Sequence, residues 1–192
     1  CARAMHYSPE KPLWVVAIGA ITNIASALLL HPEIRENIVV VWLGGNARHW
    51  PDTREFNMQQ DYAAARVVMG CGVPFVQLPC AGVVSTFTVS GAELEKVLLG
   101  KNPLADSLAR STLAAAEQYA AGRPWTRVIW DVTAVAWLQN DGNRFMRARI
   151  LPTSLPAYDG HYTSMPDAHP MAYVYGIYRD ALMEDLFRKV LS

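Results

Sequence analysis

The chain has 192 residues, of which 52% are hydrophobic and 18% charged, and its formal net charge is zero. That length supports a sizeable core, and that composition excludes an intrinsically disordered chain. The neutral balance gives no electrostatic reason to expect nucleic acid or an anionic membrane as partner.

The opening CARAMHYSPEKP has no apolar run of the kind a signal peptide needs, and it reads as the tail of a helix entering a strand. LWVVAIG, 13–19, is continuously apolar and predicts a strand covered on both faces. ITNIASALLLHPEI predicts a helix that begins near Thr22 or Asn23 and ends at Pro32. Residues 13–30 together approach the length of a membrane span. Gly19, Thr22, Asn23 and Ser26 interrupt them, so a strand, a turn and a buried helix are the better reading. IVVVWLGG is a second buried strand ending in Gly44-Gly45. The loop NARHWPDT follows, then a helix over QQDYAAARVVMGCG that stops near Gly70 or Gly72. PFVQLPC is a third short strand.

SGAELEKVLLG predicts a short amphipathic helix, and residues 103–121 a longer one. VIWDVTAVAWL, 128–138, is apolar with helical spacing after Asp131. RARILP and AYVYGIY read as late strands with a Pro- and Gly-bearing loop, 152–170, between them. RDALMEDLFRKVLS is an amphipathic final helix. Strands alternating with helices predict an α/β fold: a Rossmann-like open, mostly parallel sheet flanked by helices, in a single domain over 1–192. Cys1, Cys71 and Cys80 form no CxxC pair, which speaks against a disulfide framework or a thiolate zinc site and for a reducing, cytoplasmic setting.

In open α/β sheets, ligands sit beyond the carboxyl ends of the strands. Three polar features fall at such ends: GAITN after the first strand, GGN and the loop to EFN after the second, and Trp130-Asp131. Each has a bland alternative. Thr22 and Asn23 can cap the following helix, and Asp52-x-x-Glu55 is close to a capping box. Asp131 can cap VTAVAWL, and Trp130 can be a core aromatic. The histidines at 6, 31, 49, 161 and 169 show no HxxxH spacing, which argues against zinc.

Taken together, GAITNIASALLLHPEI, VVVWLGGN, EFNMQQDYAAARVV, GVPFVQLP and VIWDVTAVAWL resemble the inosine–uridine preferring nucleoside hydrolase family. EFN, followed four residues on by an Asp that opens a helix, is the most specific element. The resemblance implies calcium-dependent cleavage of the N-glycosidic bond of ribonucleosides. It implies that Glu55 and Asn57 bind ribose hydroxyls, and that the Thr22 main-chain carbonyl and the Asp131 side chain are calcium ligands. Asp61 is expected to be structural. A further sugar-contacting asparagine is matched by Asn46, or by His49 in an ungapped comparison. Trp130 stands where many family members have a histidine; it resembles the purine-preferring branch, in which a tryptophan stacks on the base.

The family's Asp-rich DxDxxxDD motif is absent from these residues. With it go two expected calcium ligands and the general base, so no catalytic residue is assigned within 1–192. The resemblance implies the C-terminal part of the family fold, a sheet lacking the N-terminal strands and an open edge, with the part that carries the motif on another chain, removed, or never present. A partner chain or a self-associated state is expected at that edge. A homo-oligomer is also expected. The alternative is an inactive fragment or a binding or scaffold protein that kept the fold without the reaction.

Overall fold

The computed structural model describes residues 1–192. After a short 3-10 turn at Ala4–His6, the chain enters β1, Leu13–Ala17, and turns into α1, Thr22–Leu30. Pro32 cannot continue that helix. It starts a separate 3-10 segment, Pro32–Glu36, before β2, Ile38–Leu43. The next helical stretch is two helices: α2, Phe56–Gln60, and α3, Tyr62–Gly70. β3, Phe75–Leu78, follows.

Next come β4, Thr88–Ser90, and α4, Gly91–Val97, where Ser90 and Glu93 form a full capping box. α5, Pro103–Ala120, is capped by Asn102 with proline in its first turn. β5, Thr126–Val128, precedes α6, Val132–Trp137. The chain closes with β6, Met146–Pro152; β7, Ser154–Pro156; β8, Tyr162–Ser164; β9, Pro170–Ile177; and α7, Arg179–Leu191.

The main sheet has the order β1-β2-β3-β9-β6. The first three pairings are parallel, and β6 runs antiparallel to β9. The expected α/β architecture with a mostly parallel sheet is therefore present. β4 with β5, and β7 with β8, form two small antiparallel ribbons. The second of these lies inside the stretch expected to be a loop.

Alternation along the strands divides the core in two. Val41, Leu43, Val76, Leu78 and Val174 face a core shared with α4, α5, α6 and α7. Val40, Trp42, Phe75, Met171 and Tyr173 face the other, shared with α1 and α3. Fully burying one such side chain contributes about 1.5–3 kcal/mol.

β1 is the edge of the sheet, paired only with β2, as the expected open edge requires. Both of its faces pack: Val16 lies against one core and Leu13, Val15 and Ala17 against the other. Only Trp14, 47% exposed, and Ile18 just beyond the strand, 48% exposed, depart from the expected cover. No helix is long and apolar enough to cross a membrane.

Candidate functional site

The carboxyl ends of β1, β2 and β3 open into a cavity of about 500 Å³. Its walls include Ile18 just past β1, Leu43 at the end of β2, and Cys80 and Ala81 just past β3. Asn46, Glu55, Phe56 and Asn57 come from the segment between β2 and α2, and Trp130 and Asp131 from the entry to α6. Five of the residues singled out in the sequence thus meet in one place: Glu55, Asn57, Asn46, Trp130 and Asp131.

Glu55 does not belong to a capping box opened by Asp52. It is itself the N-cap of α2. Its Oε1 accepts from the Asn57 N–H at 2.9 Å, and its Oε2 from the Met58 N–H at 3.0 Å and the Gly45 N–H at 2.9 Å. The side chain is nearly buried, so these three bonds replace water at the charge. A carboxylate offers about four acceptor positions, so little acceptor capacity remains for a ligand. Asn57 is 8% exposed. Its amide NH2 donates to the carbonyls of Leu43 at 2.9 Å and Ile18 at 3.4 Å, tying β2 to the end of β1. Its Oδ1 takes no bond from the protein, so it can accept one from a hydroxyl in the cavity.

Asn46 is more committed. Its amide donates to the Asp52 carbonyl at 3.1 Å and accepts from the Ala81 N–H at 3.2 Å, which leaves one N–H. His49, the other candidate for that role, is exposed, packs against Gly82 and does not line the cavity. Trp130 presents a ring that is 39% exposed and belongs to neither core.

Asp131 precedes α6 but makes no capping bond, so the capping alternative does not hold; its carboxylate faces the cavity without a protein partner. Thr22 does not line the cavity. Neither it nor Asn23 caps α1, where Ile21 is the N-cap. The Thr22 hydroxyl instead bonds Asp61, which is the N-cap of α3 through the Ala64 N–H at 2.8 Å.

Two further lining residues, Phe56 within EFN and Cys80, carry no role of their own in the sequence reading. Phe56 is 77% exposed at the rim. Cys80 is a buried free thiol whose pKa burial, then the nearby Glu55 and Asp131 carboxylates, push above its ordinary value. It is neutral and unreactive there. The only signal for Cys80 was its place just beyond a strand.

A calcium ion takes six to eight oxygens, several from carboxylates. Asp131 is a fitting donor, and the Thr22 carbonyl lies in the first turn of α1. No group of three or more His, Cys, Asp or Glu side chains converges anywhere in the chain. These residues alone do not fit a calcium ion.

A family model described as inosine–uridine preferring nucleoside hydrolase matches residues 1–169. The pyrimidine-specific ribonucleoside hydrolase RihA of Enterobacter sp. (strain 638) is 30% identical over 135 residues, covering 67% of this chain and 42% of that protein. The chain thus spans less than half the length of that curated relative. Among solved structures, the plant nucleoside hydrolase PpNRh1 superposes with a TM-score of 0.80 at 18% identity, over 100% of this chain and 65% of that one. An inosine–uridine preferring nucleoside hydrolase from Bacillus anthracis gives a TM-score of 0.67 at 19% identity, over 94% and 60%.

Proposed function

This chain belongs to the inosine–uridine preferring nucleoside hydrolase family, and on that premise we propose that its cavity is the ribose- and base-binding part of a nucleoside N-ribohydrolase. The observation that carries this reading is the meeting of Glu55, Asn57, Trp130 and Asp131 around one cavity at the carboxyl ends of the parallel strands. The reaction would hydrolyse a ribonucleoside at the bond between C1′ and the base: one water gives its hydroxyl to C1′ and its proton to the leaving base, yielding ribose and base. The ribosyl group passes through an oxocarbenium-like state, as in other glycoside hydrolyses. The free Oδ1 of Asn57 and the remaining acceptor position of Glu55 orient the sugar hydroxyls. Such orientation is worth several powers of ten in rate. Trp130 stacks on the base. We favour a purine because a purine offers the larger face to that ring, although RihA is named pyrimidine-specific.

We further propose that Asp131 and the Thr22 carbonyl are part of a calcium site. Its other oxygens, and the general base, would lie outside these 192 residues, in an Asp-rich segment. The open edge of β1 is where such a segment, or another copy of the chain, would pair. Residues 1–192 are one unit on this reading, since both cores share one sheet. Three free cysteines suit a reducing, cytoplasmic setting. The second reading, a binding protein without the reaction, is favoured by the absence of any converging metal-ligand cluster.

Equilibrium titration with inosine and uridine tests the proposal. Saturable binding that Asn57→Ala weakens at least tenfold is expected, with inosine the tighter. A folded protein that binds neither nucleoside would falsify the reading. Binding without hydrolysis when calcium and an Asp-rich partner are supplied favours the second one.

A further inference from the structure

The floor under the sugar side of the cavity is held by a group that takes no part in the cavity wall. The turn after β2 runs through Gly44, Gly45 and Asn46, and Gly45 has a left-handed φ of +71°. A Cβ at Gly45 would come within 2.3 Å of the Tyr162 hydroxyl oxygen and 3.0 Å of Gln77 Nε2. Only glycine fits, and what it makes room for is a phenol arriving from β8, more than a hundred residues on. Gln77, in the middle of β3 and 1% exposed, donates from Nε2 to the Gly44 carbonyl at 3.1 Å and to Tyr162 Oη at 2.9 Å. Tyr162 Oη donates in turn to the Asn46 carbonyl at 3.2 Å. One hydroxyl therefore links β3, β8 and the turn.

This node is one residue from the site on each side. The Gly45 N–H bonds Glu55 Oε2 at 2.9 Å, and the Gly45 carbonyl accepts from the Cys80 N–H at 2.7 Å. The Asn46 side chain lines the cavity. A shift of the turn would misplace the N–H that fixes Glu55, the Asn46 amide and the backbone of Cys80 together. Burial pushes the Tyr162 phenol above its ordinary value, so it remains a donor across the physiological range. Two further contacts keep the hairpin on the site: the Thr53 N–H donates to the Gly160 carbonyl at 2.7 Å, and Arg66 to the Pro156 carbonyl at 2.8 Å.

We propose that Tyr162 is a positioning residue for the sugar side of this cavity, its hydroxyl setting the Gly44–Asn46 turn and through it the aim of Glu55. The assignment rests on the reading that the cavity takes a ribosyl group. Without the hydroxyl, a Gln77 N–H and the Asn46 carbonyl are left unpaired in the interior, a loss that corresponds to roughly tenfold or more in an equilibrium constant.

The test is Tyr162→Phe in the protein, read in two ways: residue-resolved amide hydrogen exchange, and titration with inosine and uridine. Exchange at Gly45 and Met58 is expected to rise about tenfold while Val40 and Val41 in β2 stay protected. Nucleoside affinity is expected to fall by a similar factor. Gln77→Met, which removes the same bond from the opposite side, gives the same result and replaces the first variant if that one does not fold. Unchanged exchange at Gly45, in a protein whose wild type binds nucleoside, overturns the role of Tyr162 alone. Raised exchange with unchanged affinity also overturns it, since the hydroxyl is then only structural. A wild type that binds no nucleoside overturns the ribosyl reading and the assignment with it.

Discussion

The Thr22 hydroxyl donates to the Asp61 carboxylate at 2.7 Å, across 39 residues of chain. It joins the start of α1 to the break between α2 and α3, and so ties GAITN to the end of EFNMQQD. The Ala64 N–H, then the Thr22 hydroxyl, hold the Asp61 carboxyl below its ordinary value of 3.8. A depressed carboxyl stabilises the fold fully above its unfolded pKa and loses that contribution as pH falls through the lower folded value. Asp61→Asn keeps an acceptor for the Ala64 N–H, so at neutral pH it is expected to cost less than the about 1 kcal/mol of a lost N-cap; it removes the titrating group and so flattens the loss of stability below 3.8. Thr22→Val moves both in the same direction by less. Urea unfolding across a pH series measures this; identical acid limbs for wild type and Asp61→Asn would contradict it.

Glu55 carries structure as well as the proposed function. Glu55→Ala strips three backbone N–H groups of their acceptor. Bonds to a charged acceptor are worth about 1.5–3 kcal/mol each and are not additive, so a loss on the order of 3 kcal/mol is expected. Chemical denaturation reads it directly. A loss under about 1 kcal/mol would mean that water replaces the carboxylate.

Trp130 separates binding from stability. Its ring lies outside both cores. Trp130→Ala should change stability by less than about 1 kcal/mol yet weaken nucleoside binding roughly tenfold, in line with base–aromatic stacking of about 1–3 kcal/mol. Loss of stability with unchanged affinity would return Trp130 to a packing role.

The edge of β1 should be sticky. Trp14 and Ile18 lie exposed beside an unpaired row of backbone groups. Sedimentation velocity of the 192-residue chain is expected to show self-association that rises with concentration and falls for Trp14→Lys with Ile18→Lys. A sharp monomer boundary throughout the series counts against an edge that pairs.

Calcium should bind these residues weakly. Asp131 brings one carboxylate where the ion prefers several. Titration calorimetry of the 192-residue chain should show no tight site, and Asp131→Asn should abolish the weak one. Sub-micromolar affinity would mean that donors other than Asp131 and Thr22 converge.

Several features were legible because they are local. The alternation of apolar runs with helical periods gave the α/β class, and Asp61 was correctly read as the opener of a helix. Other features were hidden for the same reason. QQDYAAARVV keeps one helical period, so one helix was expected through it, although Asp61 marks where α3 opens after α2 has ended. β4 is three residues long and finds its partner 36 to 40 positions away. LWVVAIG promised packed faces, and Val16 packs on one core and Leu13, Val15 and Ala17 on the other; whether a strand is central or at an edge depends on what lies beside it.

The candidate site divides along the same line. The residue types of EFN, GGN and Trp130-Asp131, and their place after apolar strands, were present in the chain as written. For GGN and EFN their order was enough to expect one crevice, because parallel strands deliver their carboxyl ends to one side; Trp130-Asp131 follows β5, which lies outside the main sheet, and only the tertiary structure brings it there. Only the tertiary structure decided that Glu55 is gripped by Gly45, that Thr22 turns to Asp61, and that Tyr162 and Gln77 support the turn from below. Each of these bonds closes a loop of 10 to 85 residues, and sequence periodicity does not encode which loop closes on which.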